Sequence, residues 1–344
     1  MEFKVLNKLE ELVSLKDEWN ELVYEMDNPQ VFYKWEWLFT YLEEVDFEYK
    51  NNLNIILTYD KKKLIAIFPL LNDTGTLRFI TNKTVDYNNF YIDKKSNKYT
   101  VIEKTIQYII NNINFKDIIL NNIQGKSELF ILNDILINKY NYFTILEESV
   151  MAPTLINGIE NESKYRIKQI KDIDRRKRKI NDSLICEFNC DLDDETYNFL
   201  KSNHKKKWEK SVFNNQRYIN FYRKLNKNMK ENFEISRLKL DNKIVAAHMG
   251  FKDDNKVYYY IPIYDEDYSN KGVGYILLKE LIDTYKDKKE FDFLRGNENY
   301  KFNWTDNINM NYNFYATKSK VTSFITYIKV YFKKSKFLRK VLNK

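Results

Sequence analysis

The stretch "VYYYIPIYDEDYSNKGVGYILLKELID" spans Val257–Asp283 and decides the reading of the fold. Its first eight residues, Val257–Tyr264, are β-branched or aromatic apart from Pro262, which marks a strand with an edge or a splay at the proline. Its last part carries Ile276, Leu277, Leu278, Leu281 and Ile282 at helical spacing. Between them stand Gly272 and Gly274, in a chain with only 7 glycines. A strand, a glycine turn and a helix therefore follow one another. The pair can be a plain helix start. It can equally be an anion seat, where bare N–H groups and the helix dipole meet a pyrophosphate and no Cβ intervenes.

Working outward, "FEISRLKLDNKIVAAHMGFKDDNKVYYY" gives three antiparallel strands joined at Asp-Asn and Asp-Asp-Asn turns. "EFDFLRG" is a further strand after the helix. Upstream lie helices in "KYRIKQIKDIDRRKRKIND", "DDETYNFLKSNHKKKWEKS" and "NNQRYINFYRKLNKNM", with "LICEFNC" as a strand between the first two. The segment "MAPTLINGIENES", with Pro153 and Gly158, reads as a break. Before it, "LEELVSLKDEWNELVYEM" and "YKWEWLFTYLEEV" read as helices. "LNIILTYD" and "KLIAIFPLLND" flank a hairpin turn at Asp60–Lys63. Strands "TLRFIT", "KDIILNNI" and "YFTILEES" then alternate with helices "YTVIEKTIQYIINNI" and "SELFILNDILINK". The order is that of an α+β chain with mixed, mostly antiparallel sheets flanked by helices. The expected domains are 1–152, 160–317 and a basic amphipathic tail at 318–344.

Composition bounds the function class. With 344 residues, 43% hydrophobic and 31% charged, the chain is globular and long enough for two domains. The net charge of +8 gathers at "RRKRK" (Arg175–Lys179) and in the tail, which favours anionic partners. Two cysteines, Cys186 and Cys190, with no histidine nearby point to neither a disulfide framework nor a zinc site. No metal is expected. The start "MEFKVLNKLEEL" lacks a signal-peptide run, so the expected location is the cytoplasm.

"KYRIKQIKDIDRRKRKI", "HKKKW", "KIVAAHMGF", the glycine turn and "FDFLRGNENYKFNW", in this order, resemble the acyl-CoA N-acyltransferase (GNAT) fold. They resemble in particular its cellulose-biosynthesis-type acetyltransferase domains and the related Fem aminoacyl transferases. "EWNEL", "VFYKWEWLFTYLEE" and "VDYNNFYID" resemble a first lobe of such enzymes. The resemblance implies two GNAT-like lobes, an acetyl-CoA or other acyl-CoA co-substrate, and an amine acceptor such as an amino sugar of a cell-surface glycan precursor. A Fem-like enzyme using aminoacyl-tRNA is the alternative, and a non-catalytic membrane-associated module is another.

Within that resemblance, Lys271, Gly272, Val273 and Gly274 would hold the pyrophosphate, although the family's usual leading residues reduce here to "NKGVG". The backbone at Tyr260 and Ile261 would receive the acyl oxygen. Tyr300 would protonate the leaving thiolate, and Glu298 would take the amine proton. His248 is a candidate base because an imidazole titrates near neutrality, or else a core residue of its strand. Asp86 and Tyr87 would orient the acceptor. His204 and Trp208, four apart on a helix, would border its pocket or simply pack the core. Lys301 would touch the acceptor. "RRKRK" is a cationic rim for an anionic substrate, tRNA included, or a solvated face. The tail is an interfacial helix on anionic lipid at the inner membrane face, or a helix packed on its own core.

Overall fold

The computed structural model describes residues 1–49, 51–81, 84–157, 164–180 and 183–334. Gly158, in the break read from the sequence, and residues 335–344 of the tail lie outside them. The chain forms two compact units, Met1–Val150 with Met310–Lys344, and Met151–Asn309. The second unit ends before the boundary at 317 drawn from the sequence.

The first unit begins with strand β1 (Glu2–Leu6) and a 3-10 turn over Leu9–Leu15 that feeds helix α1 (Lys16–Tyr24). The single helix expected from Leu9 onward is thus split. Helix α2 (Trp35–Glu44) precedes strands β2 (Leu53–Asp60) and β3 (Lys63–Asp73). These two pair antiparallel with Asp60 opposite Lys63. Lys61 and Lys62 turn the hairpin at φ 47 and 69, the left-handed pair that a tight two-residue loop demands. Strands β4 (Thr76–Phe79) and β5 (Tyr91–Ile92) both pair with β3. Helix α3 (Lys98–Asn112) starts at Asn97, whose side chain accepts from the Thr100 N–H at 3.0 Å. Strand β6 (Asp117–Gln124), helix α4 (Ser127–Tyr140) and strand β7 (Phe143–Ile156) follow. Phe68, Phe79 and Phe90 of this unit pack with Val101, Ile106, Leu132 and Leu136 of the two helices.

Strand β7 carries the chain into the second unit and continues through Pro153, where the sequence suggests a break. Proline lacks an N–H, but its carbonyl still accepts from Phe293 at 3.0 Å. Helix α5 (Lys164–Ile180), strand β8 (Leu184–Glu187), helix α6 (Asp194–Lys207) and helix α7 (Gln216–Asn228) come next. Strands β9 (Phe233–Leu240), β10 (Lys243–Lys252) and β11 (Lys256–Tyr264) form an antiparallel meander. Its first turn, Asp241 and Asn242, has φ 50 and 62, as the Asp-Asn pair predicts. Helix α8 (Val273–Thr284) crosses over to strand β12 (Glu290–Asp292), parallel to β11. The short helix α9 (Asn299–Phe302) follows.

The apolar face of α8 settles this unit. Val273, Ile276, Leu277 and Leu281 are buried against Leu238, Val257, Phe291 and Trp304. Each such side chain contributes roughly 1.5–3 kcal/mol on burial. Strand β13 (Ile308–Thr317), unforeseen from sequence, returns the chain to the first unit and pairs antiparallel with β6. Helix α10 (Lys320–Lys334) ends the described chain. Among the described residues, no helix is long and apolar enough to cross a membrane.

Candidate active site

The site is built where β11 and β12 part. Their parallel register covers only Lys256–Glu290, Val257–Phe291 and Tyr258–Asp292. Beyond it, the chain after β12 stays with β7: Phe293 donates to the Pro153 carbonyl at 3.0 Å and Gly296 to the Met151 carbonyl at 2.9 Å. The Asp292 carboxylate accepts from the Leu294 N–H at 2.8 Å and Leu294 takes a left-handed φ of 61, which bends the chain away from β11. β11 runs on alone on this side to Tyr264, opening a wedge between the strands. Pro262, with no N–H to pair, sits in that free stretch.

Aromatic hydroxyls converge on the wedge. Tyr259 is buried and lies 6.2 Å from Phe293, ring to ring. Tyr300 of α9 meets Tyr275 of α8 edge-on at 6.5 Å. Burial, then the negative Glu298 and the nearby Tyr275, push the Tyr300 phenol well above its ordinary value. Such a phenol keeps its proton through the physiological range. Tyr264, at the end of β11, lies under the Lys207 ammonium at 4.6 Å, and Trp208 flanks the same ammonium at 4.8 Å. Burial lowers the Lys207 pKa, while Glu266 and Glu298 act the other way. Lys207, Tyr264 and Tyr275 went unnoticed in the sequence, where they show no spacing signal of their own.

The glycine pair has a local explanation. Gly272 caps α8 with a left-handed φ of 71, and a Cβ there would lie 3.0 Å from Arg176 Cδ. A Cβ on Gly274 would lie 3.0 Å from the Tyr264 ring. Both glycines therefore let α5 and β11 approach the first turn of α8. Val273 is fully buried in the core, and the Lys271 ammonium sits over the Tyr268 ring at 5.3 Å. The α8 N-terminus keeps its dipole and first-turn N–H groups, with the Arg176 guanidinium beside them. "RRKRK" is largely engaged: Arg176 pairs with Asp172 at 2.7 Å and reaches the Asn270 carbonyl at 3.4 Å, and Lys177 pairs with Glu280 at 2.8 Å.

His248 does not stand as a base. It is fully buried, and both ring nitrogens are engaged. Nδ1 bonds Glu234 at 2.9 Å, and Nε2 faces the Tyr260 N–H at 3.3 Å. An N–H pointing at Nε2 makes that nitrogen the acceptor, so Nδ1 carries the proton and donates to Glu234. Ser236 and the Tyr285 hydroxyl also donate to the Glu234 carboxylate. Burial opposes its ionisation, yet the His248 and Ser236 bonds prevail and hold it below the usual carboxylate range. The imidazole also takes up the Tyr260 N–H, one of the two backbone groups expected to receive the acyl oxygen. Ile261, the other, is buried in register with Met249.

The remaining expectations divide. His204 and Trp208 do meet, with ring centroids 4.3 Å apart and planes tilted by 42°, and Trp208 is 41% exposed with the Lys207 ammonium over its ring. His204 bonds Ser211 at 2.8 Å, and burial pulls its pKa down to about 4. Lys301 is buried and closes its own loop, with its ammonium on the Arg295 carbonyl and on Glu298, each at 2.9 Å. It has no place for a sugar. Tyr87 is fully buried against Phe32, 5.9 Å ring to ring, so it packs the first unit rather than orienting an acceptor. The Asp86 carbonyl accepts from Asn311 at 2.9 Å.

Comparison with known proteins fits this architecture. The sequence model of the family described as "Acetyltransferase (GNAT) domain" matches residues 167–302. No curated protein matches significantly. Among solved structures, FemX aligns with a TM-score of 0.60 at 10% identity, over 94% of this chain and 100% of that one. L-PGS from Bacillus licheniformis aligns with a TM-score of 0.58 at 11% identity, over 90% and 95%. The C-terminal domain (DUF2156) of a protein from Agrobacterium fabrum named as a lysylphosphatidylglycerol synthetase aligns with a TM-score of 0.58 at 9% identity, over 92% and 96%. At such identities the likeness is one of fold. The wedge between β11 and β12 and the helix that opens straight after β11 both lie within the residues that match the GNAT domain model, and the chain as a whole shares its fold with FemX.

Proposed function

We propose that the protein transfers an acyl group from a thioester to an amine, with the β11–β12 wedge as the reaction site. The single observation that carries this reading is the parting of the two strands after Tyr258 and Asp292, beside a tyrosine that holds its proton. The amine attacks the carbonyl carbon, the carbon–sulfur bond breaks, Tyr300 protonates the leaving thiolate, and Glu298, which is 58% exposed at its side chain, takes the proton lost by the amine. The donor in this reading is an acyl-CoA, acetyl-CoA first, with its pyrophosphate at the α8 N-terminus near Lys271 and Arg176. The acceptor is an amino sugar of a cell-surface glycan precursor, with the partly exposed Trp208 ring bordering its place.

A second reading has one observation in its favour. The fold likeness to FemX and to L-PGS extends over both units, and an aminoacyl-tRNA donor would then replace the thioester.

Isothermal titration with acetyl-CoA separates the two, run beside a Gly272→Asp variant that places a negative charge at the helix start. Micromolar binding by the wild type and at least about a tenfold loss in the variant are expected. No heat at millimolar acetyl-CoA would overturn the acyl-CoA reading and leave the aminoacyl donor to be assayed.

A further inference from the structure

Among the described residues, helix α10 carries its apolar side chains outside the buried cores. None of its residues from Lys320 to Phe332 is buried. Val321, Phe324, Ile325, Tyr327 and Tyr331 are 45–69% exposed. Their spacing places them along one flank of the helix. A stripe of this kind is larger than the scattered apolar residues a monomer ordinarily leaves wet, which marks an interaction surface.

The charge around the stripe says what covers it. Residues 318–344 hold nine basic side chains and no acidic one. The chain's 57 basic residues less those nine leave 48, against 49 acidic, so the whole net positive charge of the protein resides in this segment. Lys320 and Lys329 are exposed on the described part of the helix. A nucleic acid would neutralise the lysines but leave the apolar stripe in water. A bilayer surface takes both at once, with rings and aliphatic groups among the acyl chains and ammonium groups among anionic headgroups.

We infer that α10 is an interfacial helix that seats the protein on an anionic lipid surface. This stands independently of the chemistry proposed above. The segment needs no hydrophobic span, because it lies in the interface rather than crossing it.

Co-sedimentation of the full chain with vesicles tests it, using phosphatidylcholine alone and phosphatidylcholine with about a third phosphatidylglycerol. Binding to the anionic vesicles should exceed binding to the neutral ones by at least about tenfold, and should weaken as salt rises. Phe324→Asp with Tyr331→Asp should abolish it, and Lys320→Glu with Lys329→Glu should reduce it about tenfold or more. All four sites are exposed, so the melting temperature should not move. Equal binding to both vesicle types, or none to either, would overturn the inference. So would a lipid-free wild-type dimer that the Phe324 and Tyr331 changes convert to a monomer, since a second copy would then cover the stripe.

Discussion

The His248 imidazole fills the space that a side chain at residue 250 would need. A Cβ on Gly250 would lie 2.2 Å from the ring's Cε1 and 2.4 Å from its Nε2. The two residues share one face of β10, and the ladder with β11 is irregular between Met249 and Phe251, where the ring takes up the Tyr260 N–H. Gly250→Ala should therefore displace the ring and strip Glu234 of its imidazole donor. A loss of about 2–3 kcal/mol is expected, the scale of overpacking a filled interior. Urea unfolding reads it directly, and an unchanged midpoint would show that the ring has somewhere else to go.

His204 gives the fold a pH dependence of defined sign. Its pKa falls from 6.5 in an unfolded chain to about 4 in the folded one, through burial beside Trp208 and Phe213. The unfolded state thus binds a proton first as pH drops, so the contribution of His204 is complete above 6.5 and is lost as pH falls toward 4. The ring is only partly buried, so solvent screening reduces the effect to about 1–2 kcal/mol. His204→Gln should flatten the slope of unfolding free energy against pH between those values. A slope unchanged in the variant would assign the dependence to other groups.

Lys301 predicts a local effect. Its buried ammonium meets the carbonyls of Leu294 and Arg295 and the Glu298 carboxylate, and so holds the loop that bends away from β11. Lys301→Met keeps the length and removes the donors. Leaving two carbonyls without their buried donor costs about 1–3 kcal/mol for each group that water cannot reach. Hydrogen exchange over residues 294–301 should rise while α8 stays protected. Unaltered protection of the loop would mean that its backbone contacts to β7 suffice.

How far the sequence could be read depends on where each signal lives. The hairpin at Asp60–Lys63 was legible only as a charged run between two apolar strands, since Lys61 and Lys62 have no preference for a left-handed φ, whereas the one at Asp241–Asn242 was legible because turn chemistry is local and both residues accept that φ. The β11–α8 junction was legible for the same reason, through Gly272. β13 was not, because "INMNYNFYAT" carries asparagines that suit loops until Asn311 and Asn313 find partners in Asp86 and Glu147. The Pro153 break failed because a strand can run through a proline whose N–H no neighbour needs. His248 was correctly placed on a strand, yet its role depended on Glu234, which lies across the β9–β10 ladder opposite Gly250. Only the register, fixed in three dimensions, brings that acid and that ring together. The tyrosines of the wedge come from β11, α8 and α9, so no window of sequence contains their arrangement.

Tyr300 offers the sharpest test of the proposed chemistry. The Tyr300→Phe change removes one hydroxyl from a half-buried ring that keeps its edge contact with Tyr275, so stability should hold. If the phenol protonates the leaving group, kcat should fall by about 10²-fold or more, with the donor's KM little altered. The effect should also depend on the leaving group. A thioester of an acidic thiol needs no proton at departure, so the variant should approach the wild type with such a donor and lag behind it with an ordinary alkyl thioester. Because burial and Glu298 push the phenol upward, the wild-type rate should show no loss from Tyr300 ionisation across the neutral range. Equal deficits with both donors would place Tyr300 in binding rather than in proton transfer, and a full rate in the variant would remove it from the reaction.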